Sequence, residues 1–487
     1  MPSQLKPEPT PTRRTFLQLA AAGLAANTLP AIAHAADTYP SQRPAPSDRK
    51  FRSKAVDAAI EATADKIADP QLAWLFSNCL PNTLDTTVEA RVVSGKPETV
   101  VITGDIPAMW LRDSSAQVWP YLPFVKEDEP LARMIQGLVR RQARCIRLDP
   151  YANAFLADLA GSKRLDWSTA DQTEMRPGVG ERKWEVDSLC YPIRLAHGYW
   201  KQTNDTTPFD QDWFEAARLV VKTFRDQQRK TGNGPYKFER PSPHPTESLA
   251  EEGYGTPARP IGLIHSGFRP SDDACTFAFN IPGNFFAVQA LHHLEELFQQ
   301  VANDSAAASD AASLRTEIEA ALKAHATTIH PTAGKIWAYE IDGYGNALCM
   351  DDANVPSLLG LPYLGTGTQT DPLYLATRKF VWSPDNPYFF KGTVAEGIGG
   401  PHAGRDMIWP MSITMRALTT HNPEEQLQCL RWLKRSSAGS GFIHESFFKD
   451  DAKQFTRTWF AWANTLFGEL ILTIAKNNPR LLAERNL

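Results

Sequence analysis

The stretch Ser266-Gly267-Phe268-Arg269-Pro270-Ser271-Asp272-Asp273-Ala274-Cys275 places two adjacent carboxylates after an aromatic-Arg-Pro turn. The run that follows, 274–290, is apolar enough to form a buried helix. Because Ser and Asp side chains accept the free N–H groups of a first helical turn, the pattern predicts a capped helix start. A second Asp adds little to one cap, and two adjacent like charges favour protonation of one of them. The doublet therefore also predicts a site that uses a carboxyl group.

Helical periodicity dominates on both sides of this stretch. Amphipathic patterns predict helices over 56–75, 131–146, 188–201, 213–228, 274–299, 311–329, 408–420, 424–436 and 460–475. Strand-like runs are few and short, at 88–93, 99–103 and 336–339. We expect an all-α fold, a single toroid of helix hairpins with its long loops gathered on one face. The alternative is an open helical-repeat array, which the irregular loops and the missing repeat period disfavour.

Composition and charge exclude several classes of function. The 487 residues carry a formal net charge of -4 without a basic stripe, so nucleic acid is not an expected partner. The six cysteines have no CxxC and no metal-ligand spacing, so we expect no metal site. The chain contains no P-loop and no GxGxxG motif, and we expect no cofactor.

The N-terminus resembles an export signal. Thr12-Arg13-Arg14-Thr15-Phe16-Leu17 is a twin-arginine motif, an Ala-rich segment follows, and Ala33-His34-Ala35 fits the small-x-small cleavage rule. A retained anchor or a disordered tail is the alternative, but the interrupted apolar run is short for a bilayer. We predict a signal peptide over 1–35, a linker over 36–50 and one catalytic domain over 51–487. The mature protein would be periplasmic or secreted, with no membrane attachment.

Four loop motifs place acidic residues among Trp, Arg, Gly and Pro. They are Trp110-Leu111-Arg112-Asp113, Trp184-Glu185-Val186-Asp187-Ser188, Met350-Asp351-Asp352-Ala353-Asn354 and Gly441-Phe442-Ile443-His444-Glu445. The first motif allows two interpretations that are equally well supported. Either Trp110 stacks on a sugar while Arg112 and Asp113 bind its hydroxyls, or Arg112 and Asp113 form a structural pair that caps the next helix. In the second motif, a helix N-cap at Asp187 or Ser188 is slightly favoured. For His444, a structural histidine is the commoner case.

A pair of carboxyl groups in an aromatic pocket suits the cleavage of a glycosidic bond. One acid must stay protonated to protonate the leaving oxygen, and a second carboxylate must attack the sugar or deprotonate a water that does. The Asp doublet and Glu445 could supply these two roles. A serine hydrolase is disfavoured, since Ser440 lacks the Gly-x-Ser-x-Gly spacing.

The motifs GDIPAMWLRDSSAQVWPY, WEVDSLCYP, SGFRPSDDAC, MDDANVPSLL, GIGGPH, GFIHESF and FTRTWFAWANTLFGELI together resemble glycoside hydrolase family 125, from about Leu72 to Leu472. The resemblance implies a six-hairpin (α/α)6 toroid and an exo-acting α-mannosidase, chiefly on α-1,6 linkages, that inverts the anomeric centre and needs no metal. It implies a general acid at Asp272 or Asp273, with Asp272 preferred, and a general base at Glu445. The implied substrate-binding residues are Trp110, Arg112, Asp113, Asp187, Asp352, Asn354, His402 and His444.

Two alternatives to a mannosidase remain open at this point. One is another exo-glycosidase or a phosphorylase on the same toroid, with phosphate in place of water. The other is a non-catalytic glycan-binding protein, although such a protein has no need of a poised acid and base. In each case the expected partner is a saccharide, here a mannose-containing oligosaccharide or N-glycan.

Overall fold

The computed structural model describes residues 39–485, and this part of the chain is mostly helical. Its fourteen α-helices are α1 (Lys54–Ala64), α2 (Pro70–Cys79), α3 (Asn82–Thr86), α4 (Leu111–Val118), α5 (Glu129–Leu148), α6 (Val186–Thr203), α7 (Gln211–Gln227), α8 (Ala250–Gly253), α9 (Ile281–Leu297), α10 (Ser305–His325), α11 (Pro372–Val381), α12 (Pro410–Leu418), α13 (Pro423–Ser436) and α14 (Ala461–Asn477). None of these helices is both long and apolar enough to cross a membrane.

Short antiparallel strands form six small sheets between the helices of this range. They are β1 (Val88–Val93), β2 (Lys96–Val101), β3 (Met109–Trp110), β4 (Ala154–Phe155), β5 (Val179–Glu181), β6 (Phe279–Asn280), β7 (Thr327–His330), β8 (Gly334–Trp337), β9 (Glu340–Ile341), β10 (Ala347–Leu348), β11 (Phe389–Lys391), β12 (Glu396–Ile398), β13 (Met407–Ile408), β14 (Ser446–Phe448) and β15 (Asp451–Thr456). The three predicted runs correspond to β1, β2 and β8. The prediction of few strands is wrong, because strands of two or three residues leave no alternating pattern in a sequence.

Helix α9 begins seven residues later than its apolar pattern suggests. The side chain of Asn280 accepts a hydrogen bond of 2.8 Å from the N–H of Gly283 and caps the helix. Pro282 follows in the first turn, where its missing N–H costs no hydrogen bond. The apolar residues 274–279 precede this cap, so the prediction of a helix start at Ala274 is wrong.

The Asp doublet lies in a turn instead of at a helix cap. Phe268 and Ala274 pair as an isolated antiparallel bridge, and the N–H of Arg269 donates to the carbonyl of Asp273 at 2.8 Å. Asp272 has a φ of 66°, a left-handed conformation that Asp adopts more readily than most residues. The capping prediction for the doublet is therefore wrong, and the two side chains leave the turn in different surroundings.

The buried helices contact one another in succession. α4 packs against α6, α6 against α9, α12 against α14, and α14 against α4. Further helices pack on these from outside, α5 on α6, α10 on α9, and α13 on α12. One large hydrophobic cluster runs through this assembly from Val56 to Leu482, and a smaller one surrounds Trp110 near the ends of β3 and β4.

The described part of the predicted linker packs on the helices. Arg43 Nε donates to Asp85 at 2.7 Å, and Trp74 Nε1 donates to the carbonyl of Pro40 at the same distance. Residues 39–50 therefore form a strap along α1, α2 and α3, which we call the N-terminal strap. The predicted signal peptide lies outside the described residues. The six cysteines are all unpaired.

Candidate active site

Arg112, at the start of the fully buried helix α4, lies among four carboxylates. Its Nη1 is 2.6 Å from Glu185 and 3.2 Å from Asp187, and its Nη2 is 3.3 Å from Asp272 Oδ1. Its Nε is 3.6 Å from Asp113. All five side chains are buried. The structure thus brings together the first two of the four sequence motifs and the Asp doublet around one guanidinium.

A three-stranded sheet holds this cluster in place. β3 pairs with β4, and β4 pairs with β5, so the segments that carry Arg112, Asn153 and Glu185 meet at one edge. The N–H of Leu111 donates to the carbonyl of Asn153 at 3.0 Å, which continues the pairing into the first turn of α4. The predicted N-cap role of Asp187 is not observed, since α6 begins at Val186 and has no side-chain cap.

Asn153 and Lys183 fix the conformation of Asp272. Asn153 Nδ2 donates to Asp272 Oδ1 at 3.1 Å and lies 3.0 Å from Glu181 and 3.3 Å from Glu185. Lys183 Nζ donates to the backbone carbonyl of Asp272 at 2.7 Å. The sequence analysis missed Asn153, Lys183 and Glu185. Only Glu185 had a local signal, as the second acid of the motif that contains Asp187.

The Arg112 cluster holds more acids than its cation can compensate. Burial raises the pKa of Glu185 to about 7, although Arg112 opposes the shift, and burial likewise raises the pKa of Asp187. Burial alone would lower the pKa of Arg112, but the charges of Glu185, Asp187 and Asp113 raise it. One guanidinium therefore stays charged among several carboxyl groups, and the cluster retains a proton near neutral pH.

Asp273 faces a different set of side chains from Asp272. Ser271 Oγ donates to Asp273 Oδ2 at 3.2 Å, and His402 Nδ1 lies 3.9 Å from Asp273 Oδ1. His402 comes from the loop before β13, so this contact joins the doublet to the Gly-rich segment 397–402. The predicted substrate-binding residue His402 therefore lies beside the predicted catalytic doublet.

Asp352 and Asn354 lie on the same side as Asp273. The N–H and the Nδ2 of Asn354 donate to Asp352 Oδ1 at 3.0 and 3.2 Å. Burial raises the pKa of Asp352, and the hydrogen bond from the N–H of Asn354 opposes the shift. A Cβ on Gly400 would lie 2.9 Å from Asp352 Oδ2, so only glycine leaves this carboxylate its position. The segment that carries Gly400 and His402 thus lies against both Asp352 and Asp273.

Glu445 has hydrogen-bond donors on both of its oxygens. Arg457 Nη1 is 3.3 Å from Oε1, and Thr456 Oγ1 donates to Oε2 at 3.0 Å. Arg457 also donates from Nε to Asp105 at 2.8 Å. Burial would lower the pKa of Arg457, but the charges of Asp105 and Glu445 raise it, with a contribution from Asp113. These donors favour the ionised form of Glu445.

Two connections join the Asp272–Asp273 side of the site to the Glu445 side. The first is Asp113, whose charge acts on both Arg112 and Arg457. The second is a row of rings. The His402 ring lies 6.1 Å from that of Trp409, Trp409 lies 6.3 Å from Phe460, and Phe460 lies 4.5 Å beneath the guanidinium of Arg457. A continuous series of side chains therefore lies between the doublet and Glu445.

Residues 69–472 match the family described as metal-independent α-mannosidases, glycoside hydrolase family 125. The chain belongs to this family. It is 43% identical over 458 residues to the Meiotically up-regulated gene 157 protein of Schizosaccharomyces pombe. The aligned region covers 91% of this chain and 90% of the yeast protein.

A solved family 125 structure from Streptococcus pneumoniae, a metal-independent α-mannosidase in a non-productive complex with α-1,6-mannobiose, has a TM-score of 0.83 and 39% identity to this chain. The structural match covers 87% of this chain and 99% of the solved chain. A bacterial glucoamylase in complex with acarbose gives a TM-score of 0.53 at 12% identity, covering 85% of this chain and 56% of that one. The glucoamylase likeness concerns the fold alone.

His444 and Trp110, two of the predicted substrate-binding residues, are buried against other side chains of the chain. The ring of His444 stacks on Phe455 at 3.6 Å, its Nε2 is 3.1 Å from Ser440 Oγ, and its Nδ1 is 3.3 Å from the carbonyl of Arg457. Burial lowers the pKa of His444 to about 4, so the ring is neutral at pH 7. Trp110 is 1% exposed. Contact of either side chain with a sugar stays a prediction.

The family's description as metal-independent raises the question of possible metal ligands. Within residues 39–485 no group of three His, Cys, Asp or Glu side chains is arranged to hold a metal ion. The carboxyl groups of the site instead have arginine, asparagine and hydroxyl partners, as described above.

Proposed function

We propose that this family 125 protein is an inverting exo-α-mannosidase that hydrolyses terminal, non-reducing α-1,6-linked mannose. The observation that carries the proposal is the contrast between two carboxylate environments in one site. Asp272 belongs to a cluster with more acids than cations, whereas Glu445 has a donor on each oxygen. The solved relative's complex with α-1,6-mannobiose supports the choice of linkage.

Asp272 is proposed as the general acid. Its Oδ1 accepts hydrogen bonds from Arg112 and Asn153, so the transferable proton belongs on Oδ2. Arg112 is shared with Glu185, whose pKa is already raised to about 7 by burial. The surplus of negative charge in the Arg112 cluster favours a protonated carboxyl group at neutral pH, as a general acid requires.

Glu445 is proposed as the general base. The guanidinium of Arg457 and the hydroxyl of Thr456 keep its carboxylate ionised and oriented. In the reaction, Asp272 gives its proton to the glycosidic oxygen as the C1–O bond breaks. Glu445 takes a proton from a water that attacks C1 from the opposite face, and the product is β-mannose. This reaction requires the two carboxyl groups to stand about 6.5–9.5 Å apart.

Asp273 is proposed to bind the substrate beside the acid. Asp273 contacts Ser271 and His402, and Gly400 in the His402 loop lies against Asp352, which binds Asn354. These groups form a set of acceptors and donors suited to sugar hydroxyls. In this scheme Arg112, Asp113 and Asp187 form the charged floor of the site. The proposal thus assigns the two carboxylates of the doublet to two different functions.

The proposed architecture is the six-hairpin (α/α)6 toroid. The succession of contacts α9–α6–α4–α14–α12 supports an inner ring, and the helices that pack on it from outside support an outer one. The loops that carry Arg112, Asp272, Glu445 and His402 would then open on one face. We also propose export through the twin-arginine pathway. Arg13→Lys together with Arg14→Lys should leave the protein in the cytoplasm, as cell fractionation and immunoblotting would detect.

A proton NMR time course on α-1,2-, α-1,3- and α-1,6-linked mannobioses tests the proposed reaction. We expect release of mannose from the α-1,6 disaccharide at the highest rate, with the β-anomer appearing first. First appearance of the α-anomer would contradict inversion. Turnover that requires inorganic phosphate would identify a phosphorylase, and saturable binding without release would identify a glycan-binding protein.

Three variants test the assignment of roles. Glu445→Gln should reduce kcat by roughly 10²–10⁴-fold on every substrate, since it removes the base. Asp272→Asn should reduce kcat comparably on α-1,6-mannobiose but far less on α-mannosyl fluoride, whose leaving group needs no proton. Asp273→Asn should affect both substrates alike. If Asp273→Asn, and not Asp272→Asn, spared the fluoride, Asp273 would be the acid.

A further inference from the structure

A cavity lies beside the loops that carry Glu445 and Arg457, and no residue proposed for catalysis lines it. Its volume is about 230 Å³. Three parts of the chain enclose it, namely the N-terminal strap, the helices α2 and α3, and the loop segments around Phe442 and Trp459. The pocket is smaller than the roughly 300–1,000 Å³ typical of drug-sized ligands, so its occupant is one small unit.

Two aromatic side chains form part of the cavity wall. Phe442 and Trp459 are both partly exposed, and Thr458, which directly precedes Trp459, is exposed. The indole of Trp459 is held by a hydrogen bond of 3.1 Å from Nε1 to Thr86 Oγ1. A flat ring that is partly exposed and fixed in orientation offers an apolar surface to a flat ligand face, such as the C–H face of a sugar ring.

The charges of the cavity are already compensated within the protein. Arg43 binds Asp85 through Nε at 2.7 Å and binds Asp57 through Nη2 at 2.9 Å. An anion would find no unpaired cation here, and a cation would compete with Arg43 for the carboxylates. The chemistry of the lining therefore favours a neutral ligand that forms hydrogen bonds.

Unsatisfied amide groups lie in the same wall. Asn78 and Asn82 are 1% and 5% exposed, yet Asn78 Nδ2 and Asn82 Oδ1 have no hydrogen-bond partner within residues 39–485. A buried polar atom without a partner is costly, by about 1–3 kcal/mol. One unused donor and one unused acceptor beside an aromatic face match the alternating hydroxyls of a saccharide.

We propose that this cavity binds a neutral saccharide unit. The inference rests on the proposed function, since it takes the occupant to be a further sugar of the same glycan or a free sugar of the same class. Phe442 lies three residues before Glu445, and Trp459 lies two residues after Arg457. A sugar held here would contact the same two loops that hold the proposed base, and would select for longer or branched glycans.

The N-terminal strap, which helps to form the cavity, lies outside the residues that the family model matches. The strap supplies Gln42, Arg43 and Pro44 to the lining, and the family match begins only at residue 69. Gln42 is anchored to the family region through its N–H, which donates to Asn78 Oδ1 at 3.0 Å, and its side chain packs on Gly441. Specificity supplied by the strap is thus separable from the proposed chemistry of the site.

Kinetics on short and long substrates tests the proposal. We compare KM for α-1,6-mannobiose with KM for a branched mannopentaose in the wild type and in Trp459→Ala, with Gln42→Trp as a second variant that fills the cavity from the strap. We expect the ratio of the two KM values to change about tenfold in both variants, the size of effect that follows from losing one aromatic contact. Tyr344→Ala, at a 65% exposed aromatic outside the cavity, is the matched control and should keep the wild-type ratio.

Calorimetry separates the two sources of the sugar. Methyl α-mannoside should bind with one more site per chain in the wild type than in Gln42→Trp if a free sugar occupies the cavity. Equal site numbers together with an altered KM ratio identify a distal sugar of the substrate. Equal site numbers together with unchanged KM ratios overturn the proposal. If the wild type hydrolyses no mannoside, the proposed function fails, and the calorimetric comparison alone then decides whether the cavity binds sugar.

Discussion

Replacement of Arg112 by methionine should destabilise the protein in a pH-dependent way. The substitution keeps the length of the side chain but removes the only cation within 4 Å of Glu185 and Asp187 among the described residues. Removing one partner of a buried ion pair costs about 3–5 kcal/mol, because the remaining charges stay buried and uncompensated. We expect a loss of this size at pH 8.

The sign of the pH dependence follows from the raised pKa of Glu185. Burial already holds the pKa of Glu185 at about 7 in the presence of Arg112, against an ordinary value of 4.5, and without Arg112 this pKa rises further. An acid whose folded-state pKa is raised destabilises the fold as the pH rises above its unfolded-state value. The loss in Arg112→Met should therefore be about 1–2 kcal/mol smaller at pH 5 than at pH 8, since one pKa unit corresponds to about 1.4 kcal/mol.

Thermal unfolding at pH 5 and pH 8 measures this difference. The unfolding entropy for residues 39–485 is roughly 0.9 kcal/mol/K, so a loss of 3–5 kcal/mol lowers Tm by about 3–6 °C. Arg112→Lys is the matched control. It keeps the charge but loses the forked geometry, and should lose less stability while still losing activity. A loss below about 1 kcal/mol at pH 8, or an equal loss at both pH values, would refute the role given to Arg112.

Three further predictions concern other parts of the site. Gly400→Ala should lower kcat/KM by roughly tenfold or more with a small change in Tm, because its Cβ displaces Asp352, and crystallography of the variant would show the shift. Arg457→Met should move the acidic limb of the kcat/KM–pH profile to higher pH, as Glu445 loses its guanidinium partner; an unmoved limb would contradict its role as base. The ring of His444, with its pKa near 4, should show no titration between pH 5 and 8 by NMR; a midpoint near 6.5 would show that the ring is accessible to solvent.

Helices with long apolar faces could be predicted from the sequence, because a long face repeats the helical period several times. The predictions over 424–436 and 460–475 agree with α13 and α14 to within two residues at each end. The prediction over 56–75 spans two helices, because Asp69 caps a new helix through the N–H of Leu72 and Pro70 follows in its first turn. Local capping residues can be read in the sequence, but an apolar period that continues across the break conceals them.

The site was predictable where a motif concentrates several functional groups in one loop. Arg112, Asp187 and Asp272 were chosen because acids adjoin aromatics in those loops, and the structure brings them together. Asn153 and Lys183 were missed, because each stands alone in its segment and gains its role only through the pairing of β4 with β5. Pairing between strands of two or three residues cannot be inferred from a single sequence.

The sequence pattern around the Asp doublet predicts a helix cap, whereas the structure places the doublet in a turn. A Ser-Asp-Asp run followed by apolar residues fits a helix cap, but composition alone does not distinguish a cap from a turn with a left-handed residue. The φ of 66° at Asp272 reverses the chain between two neighbours, so that Asp272 contacts Arg112 while Asp273 contacts Ser271 and His402. Two carboxylates adjacent in sequence can then have different protonation states, because their different surroundings decide which one retains a proton. A helix cap would have supplied one backbone hydrogen bond; the turn supplies two acids with separate environments, which is what an acid beside a hydroxyl-binding carboxylate requires.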